Sequence, residues 1–160
     1  HAMVVSVHEL ASEAGVEMMQ AGGNAVDAAT ATGFALAVVH PQAGNLGGGG
    51  FLVYRRRDGE SFALDFREVA PAAATRDMYL DSAGNVTEDS WLGARSIGVP
   101  GSVAGLWEMH RRFGHLPWRE VVAPAIALAR DGHVIDEPRG EMLRRVTRLG
   151  LRSPSSGTRR

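Results

Sequence analysis

The sequence predicts a mixed α/β domain in which strands pair locally and buried helices cover them. Three observations carry this. Ala25–Val39 is Ala-rich and nearly uncharged, two short β-type runs flank Asp58-Gly59, and helix-like stretches fill the region between Pro100 and Gly150. At 160 residues the chain is one domain or a piece of one, and a free-standing domain of that size buries about 68–70% of its unfolded surface. Its 44% hydrophobic content suits a packed core. Gly and Pro number 20 and 7, which is loop-rich but below low complexity.

Taken in order, Met3–Val7 is a short apolar run and reads as a strand. Leu10–Gln20 has helical spacing and stops at Ala21-Gly22-Gly23, where glycine adopts the left-handed conformation cheaply. Asn24 and Asp27 have capping-box spacing and open a second helix, Ala25–Val39. That helix is apolar on nearly every side, so it is a buried one, and Pro41 ends it. The run Gly44–Gly50 leads into a strand at Phe51–Tyr54, Asp58-Gly59 signals a hairpin, and Ser61–Phe66 returns. Residues 72–100 are loop-rich, with a turn at Asp81–Asn85. Ser102–Phe113 is helical, with Val103, Leu106, Trp107 and His110 on one side. Pro117 starts a helix running to about Arg130, Asp131-Gly132 closes it, and Asp136–Leu149 forms one more. Beyond Gly150 there is no periodicity, so residues 1–150 are expected to form the domain and 151–160 an unstructured tail.

Composition excludes several classes. There is no Cys, hence no disulfide framework, thiolate metal site or Cys nucleophile. No run approaches 18 apolar residues, so no membrane span is expected. The N-terminus lacks a basic region followed by a long apolar run, so no signal peptide is visible, and His1 is not an initiator, so residues upstream are expected. The formal net charge of −1 hides an asymmetry. Residues 1–138 hold 10 Arg against 17 acidic groups, and residues 139–160 hold 7 Arg against 1. The basic end carries no interleaved aromatic and no binding motif, so no nucleic-acid partner is expected.

Few residues suggest chemistry on their own. The Gly47–Gly50 run is no phosphate cradle: Phe51 and Leu52 follow it, the chain has no Lys, and the order is helix into strand. It reads as a place where backbones approach closely. The six His residues have no zinc-helix spacing, no metal site is expected, and no Gly-x-Ser-x-Gly elbow exists. Arg67, at the end of a strand in Asp65-Phe66-Arg67-Glu68, is the candidate binding residue. A guanidinium binds a carboxylate through two parallel hydrogen bonds. The alternative is an ion pair with Glu68 or Asp65.

Read together, the segments resemble one family. His8-x-Leu10-Ala11-Ser12-Glu13-Ala14-Gly15, Gly22-Gly23-Asn24-Ala25-Val26-Asp27-Ala28-Ala29, Pro41-Gln42, and Gly47–Gly50 with Phe51 form the first half of the pattern. Leu64-Asp65-Phe66-Arg67-Glu68-x-Ala70-Pro71, Thr75-x-Asp77-Met78-Tyr79, Gly98-Val99-Pro100-Gly101-Ser102-Val103-Ala104-Gly105, Gly114-x-Leu116-Pro117-Trp118 and Leu128-Ala129-x-Asp131-Gly132 continue it. Their number, order and spacing over about 1–135 resemble the start of the large subunit of the γ-glutamyltranspeptidase family.

The resemblance implies an N-terminal-nucleophile hydrolase fold, a layered αββα sandwich, of which only the N-terminal portion is present. It implies a precursor that cleaves itself and exposes a Thr nucleophile. That Thr is expected downstream, so no catalytic residue is assigned among Thr30, Thr32, Thr75, Thr87, Thr147 and Thr158. The hydroxyl attacks a γ-glutamyl amide, usually of glutathione, and the acyl group passes to water or an amine. Arg67 matches the family Arg that grips the α-carboxylate of the γ-glutamyl group. No metal or organic cofactor is implied, and the partners are the rest of the large subunit and the small subunit of the same precursor. A periplasmic or secreted location follows from the same resemblance. Two other readings stand beside it: a cephalosporin acylase or poly-γ-glutamate transpeptidase with the same fold, and an inactive truncated fragment.

Overall fold

The computed structural model describes residues 2–148. Its elements are α1 (Glu9–Gln20), α2 (Ala25–Val39), β1 (Phe51–Arg55), β2 (Ser61–Asp65), two short 3-10 turns at Glu88–Ser90 and Ala94–Ser96, α3 (Ser102–Phe113), α4 (Trp118–Asp131) and α5 (Glu137–Arg148). The expected tail at 151–160 lies outside the described residues.

The helix ends form as the sequence dictates. Gly22 takes φ 89° after α1, and the Gly22 and Gly23 N–H groups donate to the Met19 and Met18 carbonyls at 3.2 and 2.8 Å. This is a Schellman stop, which satisfies carbonyls that the helix end leaves over. Asn24 then caps α2: its side chain accepts from Val26 N–H and Asp27 N–H, and the Asp27 carboxylate accepts from Asn24 N–H. Both halves of the capping box are present.

Helix α2 is the centre of the molecule, with Val26, Asp27, Ala28, Thr30, Ala31, Thr32, Ala35 and Val39 buried. Small residues set its distance from α1. A Cβ on Gly15 would lie 2.8 Å from Val4 Cγ1 and 3.1 Å from the Ala28 carbonyl. Ala11, Ala14, Ala35, Val39 and Ala125 form one buried cluster, and Met18, Ala31 and Val121 a second, joining α1, α2 and α4. The uniformly apolar sequence of α2 is thus matched by neighbours on several sides.

The hairpin pairs β1 and β2 antiparallel, Phe51 opposite Asp65 through Arg55 opposite Ser61. Gly59 turns the loop with φ 95°. One face of the ribbon packs on the end of α3 through Tyr54, Phe62 and Phe113, with ring centroids 4.7–6.4 Å apart. The other face is open: Phe51 is 66% and Val53 79% exposed.

Two expectations are corrected. Met3–Val7 belongs to no strand, and the chain bends at Val7. A strand exists by ladder pairing, and among the described residues nothing pairs with this segment. In α3 the buried line is Ser102, Gly105, Met109 and His110, while Val103 and Trp107 are 46% and 43% exposed. Gly105 rests on Phe66, and the half-buried Leu106 lies against Gly33 of α2.

His8, the residue before α1, predicts a pH response. Burial and then the Arg139 guanidinium lower its pKa below the ordinary 6.5; His133 and His40 act the same way and Asp136 opposes them. The unfolded chain therefore binds this proton more readily than the folded one. The stabilisation is complete above pH 6.5 and is lost as pH falls through the lowered folded value. Thermal denaturation between about pH 8 and pH 5 should show a falling melting temperature, and His8→Gln should fall less. Equal slopes would refute this.

Candidate functional site

Arg67 stands just past the end of β2, where the chain leaves the ribbon. Phe66 and Gly50 extend the ladder by one more pair: Phe66 N–H donates to the Gly50 carbonyl at 2.9 Å and Gly50 N–H to the Phe66 carbonyl at 3.3 Å. The Asp65 carboxylate then accepts the Arg67 backbone N–H at 2.9 Å. A short Asp side chain bonding a backbone N–H two residues on is a local turn device, and it bends the chain here. Val69 and Val99 exchange both backbone hydrogen bonds, at 3.2 and 2.9 Å. The segment carrying Arg67 is therefore held between the glycine run and residues 98–101.

The Arg67 side chain is 61% exposed, and its Nε donates to Glu68 Oε2 at 3.2 Å. The guanidinium carbon lies 5.7 Å from the centroid of the Phe51 ring, within range for a cation–π contact. Of the two readings of Arg67, the geometry shows the ion pair. The ion pair with Glu68 exists, while Asp65 takes the backbone N–H and not the guanidinium. Among the described residues no acceptor engages the Nη groups, so two donors remain for a planar anion.

Glu68 is held as a carboxylate. Its own backbone N–H lowers its pKa below the ordinary carboxylate value; burial opposes this, and the Arg67 side chain and the Gly49 N–H add to the lowering. Glu68 therefore keeps its negative charge to lower pH than an ordinary glutamate. A cavity of about 260 Å³ adjoins this corner, lined in part by Gly48, Gly49, Gly50, Phe66, Glu68 and Ser102. Its charged lining group is Glu68, so it repels a carboxylate.

Sequence reasoning named Arg67 and offered Glu68 as an ion-pair partner; it missed Phe51 against the guanidinium and Phe66 as the anchor beside it. The Asp65-Phe66-Arg67-Glu68 motif contained Glu68 and Phe66, but only the fold shows what each touches. Among the described residues no group of three or more His, Cys, Asp or Glu is placed to hold a metal ion, and no helix is long and apolar enough to cross a membrane.

Comparison with known proteins places the fold among the N-terminal-nucleophile hydrolases, of which these helices and this ribbon are the N-terminal portion. The profile of the Gamma-glutamyltranspeptidase family matches residues 11–158, and the chain belongs to that family. It is 53% identical over 130 residues to a glutathione hydrolase proenzyme of Pseudomonas aeruginosa, covering 81% of this chain and 23% of that protein. It is 52% identical over 136 residues to the glutathione hydrolase proenzyme of Escherichia coli, covering 84% and 23%. The crystal structure of Helicobacter pylori gamma-glutamyltranspeptidase superposes with a TM-score of 0.88 at 47% identity, covering 95% of this chain and 44% of that one. A cephalosporin acylase from Bacillus halodurans shares the fold at a TM-score of 0.72 and 27% identity, covering 88% and 26%. The chain spans about a quarter of the length of the curated relatives it matches.

Proposed function

We propose that this chain is the N-terminal part of the large subunit of a γ-glutamyltransferase/glutathione hydrolase precursor, and that Arg67 binds the α-carboxylate of the γ-glutamyl donor. The observation that carries the reading is the Arg67 guanidinium, anchored through Nε to Glu68 with its Nη groups open to an anion. A donor carboxylate there completes a bidentate pair and fixes the end of the substrate remote from the reacting amide.

The nucleophile on this reading is a Thr downstream of Arg160, exposed when the precursor cleaves itself. Its hydroxyl oxygen bonds to the γ-carbonyl carbon, and the amide C–N bond breaks. The amine leaves with the proton taken from the hydroxyl. Water or an amino acid or peptide amine then takes the γ-glutamyl group from the ester. The remainder of the large subunit and the small subunit are the partners that complete the site. By itself the 160-residue chain lacks the nucleophile and is inactive. The open outer face of the hairpin, with Phe51 and Val53, supports the need for further chain.

A second reading keeps the fold and replaces the donor with a carboxylate-bearing acyl amide, as the likeness to a cephalosporin acylase suggests. Higher identity to glutathione hydrolases favours the first. The test is the intact precursor assayed with glutathione and with a glutaryl amide. Faster release of glutamate from glutathione is the expected result. Faster cleavage of the glutaryl amide would overturn the substrate, and failure to cleave either would overturn the enzyme.

A further inference from the structure

We propose that Gly105, together with Gly49 and Gly101, positions Arg67: the three form a seat that admits the Phe66–Arg67 segment only because they carry no side chain. The inference rests on the reading of Arg67 as the carboxylate-binding residue.

The seat closes from two sides. A Cβ on Gly49 would lie 2.6 Å from the Phe66 carbonyl oxygen, 2.8 Å from Arg67 Cα and 2.8 Å from Glu68 N. A Cβ on Gly101 would strike the same carbonyl oxygen and lie 2.8 Å from its carbon. A Cβ on Gly105 would strike Phe66 Cγ and lie 2.5 Å from Phe66 Cβ. Real Cβ atoms do not come this close, so any side chain here displaces the Phe66–Arg67 backbone or the Phe66 ring.

Backbone conformation does not explain these glycines. The positive-φ glycines of the described residues are Gly22, Gly59, Gly84, Gly93 and Gly132, and nothing lies within 4 Å of where their Cβ atoms would stand. Gly49, Gly101 and Gly105 are the reverse case: their torsions suit an L-residue and their surroundings do not. Contact with Phe66 and Arg67 is therefore what requires glycine.

The surrounding bonds make the seat rigid. The Gly48 carbonyl accepts both Gly101 N–H and Ser102 N–H at 2.9 Å, which ties the start of α3 to the glycine run. Phe66, between them, hydrogen-bonds Gly50 through both backbone groups. Arg67 Cα is thus fixed by packing on both sides, its backbone N–H by Asp65 and its Nε by Glu68. A bidentate ion pair tolerates about 0.5 Å of misplacement. A Cβ at Gly105 requires a movement at least that large one residue before Arg67.

The experiment uses the intact precursor and two anilide donors. One carries the γ-glutamyl group; the other is its 4-aminobutyryl counterpart, which lacks the α-carboxylate. The ratio of their kcat/KM values reads carboxylate recognition alone. Gly105→Ala is expected to raise KM for the γ-glutamyl donor about tenfold or more, with kcat within about threefold, and to cut the ratio about tenfold. Gly140→Ala is the control: its Cβ would meet Arg144 at no less than 3.4 Å, and the ratio should not change. If Gly105→Ala fails to mature, Phe66→Leu keeps the backbone, trims the ring against Gly50 and Gly105, and should also lower the ratio. Arg67→Ala separates the two claims. If it leaves the ratio at the wild-type value, the proposed function is wrong. If it abolishes the preference while both Gly105→Ala and Phe66→Leu keep it, or whichever of them matures does, the positioning role is overturned and the function stands.

Discussion

Arg67→Ala in the intact precursor is expected to lower kcat/KM for γ-glutamyl donors by about 10–150-fold, the kinetic equivalent of about 1.5–3 kcal/mol of charge-assisted hydrogen bonding. The loss should fall mainly on KM. The carboxylate held by Arg67 is remote from the amide that reacts, so its bond is made alike in the ground and transition states. Arg67→Lys should recover part of it, because an ammonium keeps the charge but not the planar fork. The residue is exposed and touches the fold mainly through Glu68 and Phe51, so stability should change little. An unchanged kcat/KM would sink the role. A large fall in melting temperature would mean that the Glu68 pair is structural.

Asp27→Ala carries the largest expected loss of stability, about 3–5 kcal/mol. The Asp27 carboxylate is fully buried. It accepts Asn24 N–H at 2.8 Å, His115 N–H at 3.0 Å and Leu116 N–H at 3.3 Å, with His110 Nε2 at 3.4 Å. His110 Nε2 also lies 2.8 Å from the Leu116 carbonyl. One side chain thus caps α2 and holds the α3–α4 connection, 88 residues away, against it. Its removal leaves the part-buried N–H donors of Asn24, His115 and Leu116 without this acceptor. For a chain of this size the melting temperature should fall about 6–20 °C, at about 2–4 °C per kcal/mol. Asp27→Asn should not rescue it, because the amide nitrogen would face N–H donors. Asn24→Ala, which removes only a cap and the bond from Asn24 Nδ2 to the Phe113 carbonyl, should cost about 1–2 kcal/mol. A cost below about 1 kcal/mol for Asp27→Ala would mean that water replaces the carboxylate at no penalty.

The Asp27 network also shows where reading a sequence stops. Asn24 and Asp27 were legible as a capping box because the signal lies within four residues. The bonds from Asp27 to His115 and Leu116 were not, since nothing in either segment names the other. Arg67 was legible as a candidate from its residue type and its place at a strand end, and the family motif supplied the role. The glycine run was legible as a close backbone approach, but not what approaches: Phe66 and Arg67 on one side and the start of α3 on the other.

By itself the sequence determined α1 to α5 and the hairpin, because caps, Gly and Pro stops and hydrophobic period act over a few residues and do not wait for tertiary partners. The tertiary structure decided the remainder. Met3–Val7 has the composition of a strand, but a strand needs a neighbour and none of the described residues supplies one. Val103 and Trp107 lie partly in the open because Phe66 takes the surface of Gly105 on the same helix. Which of its candidate partners Arg67 engages was decided there too: Nε donates to Glu68, while Asp65 takes only the backbone N–H. That is a matter of distances between side chains, which packing sets and local sequence pattern does not encode.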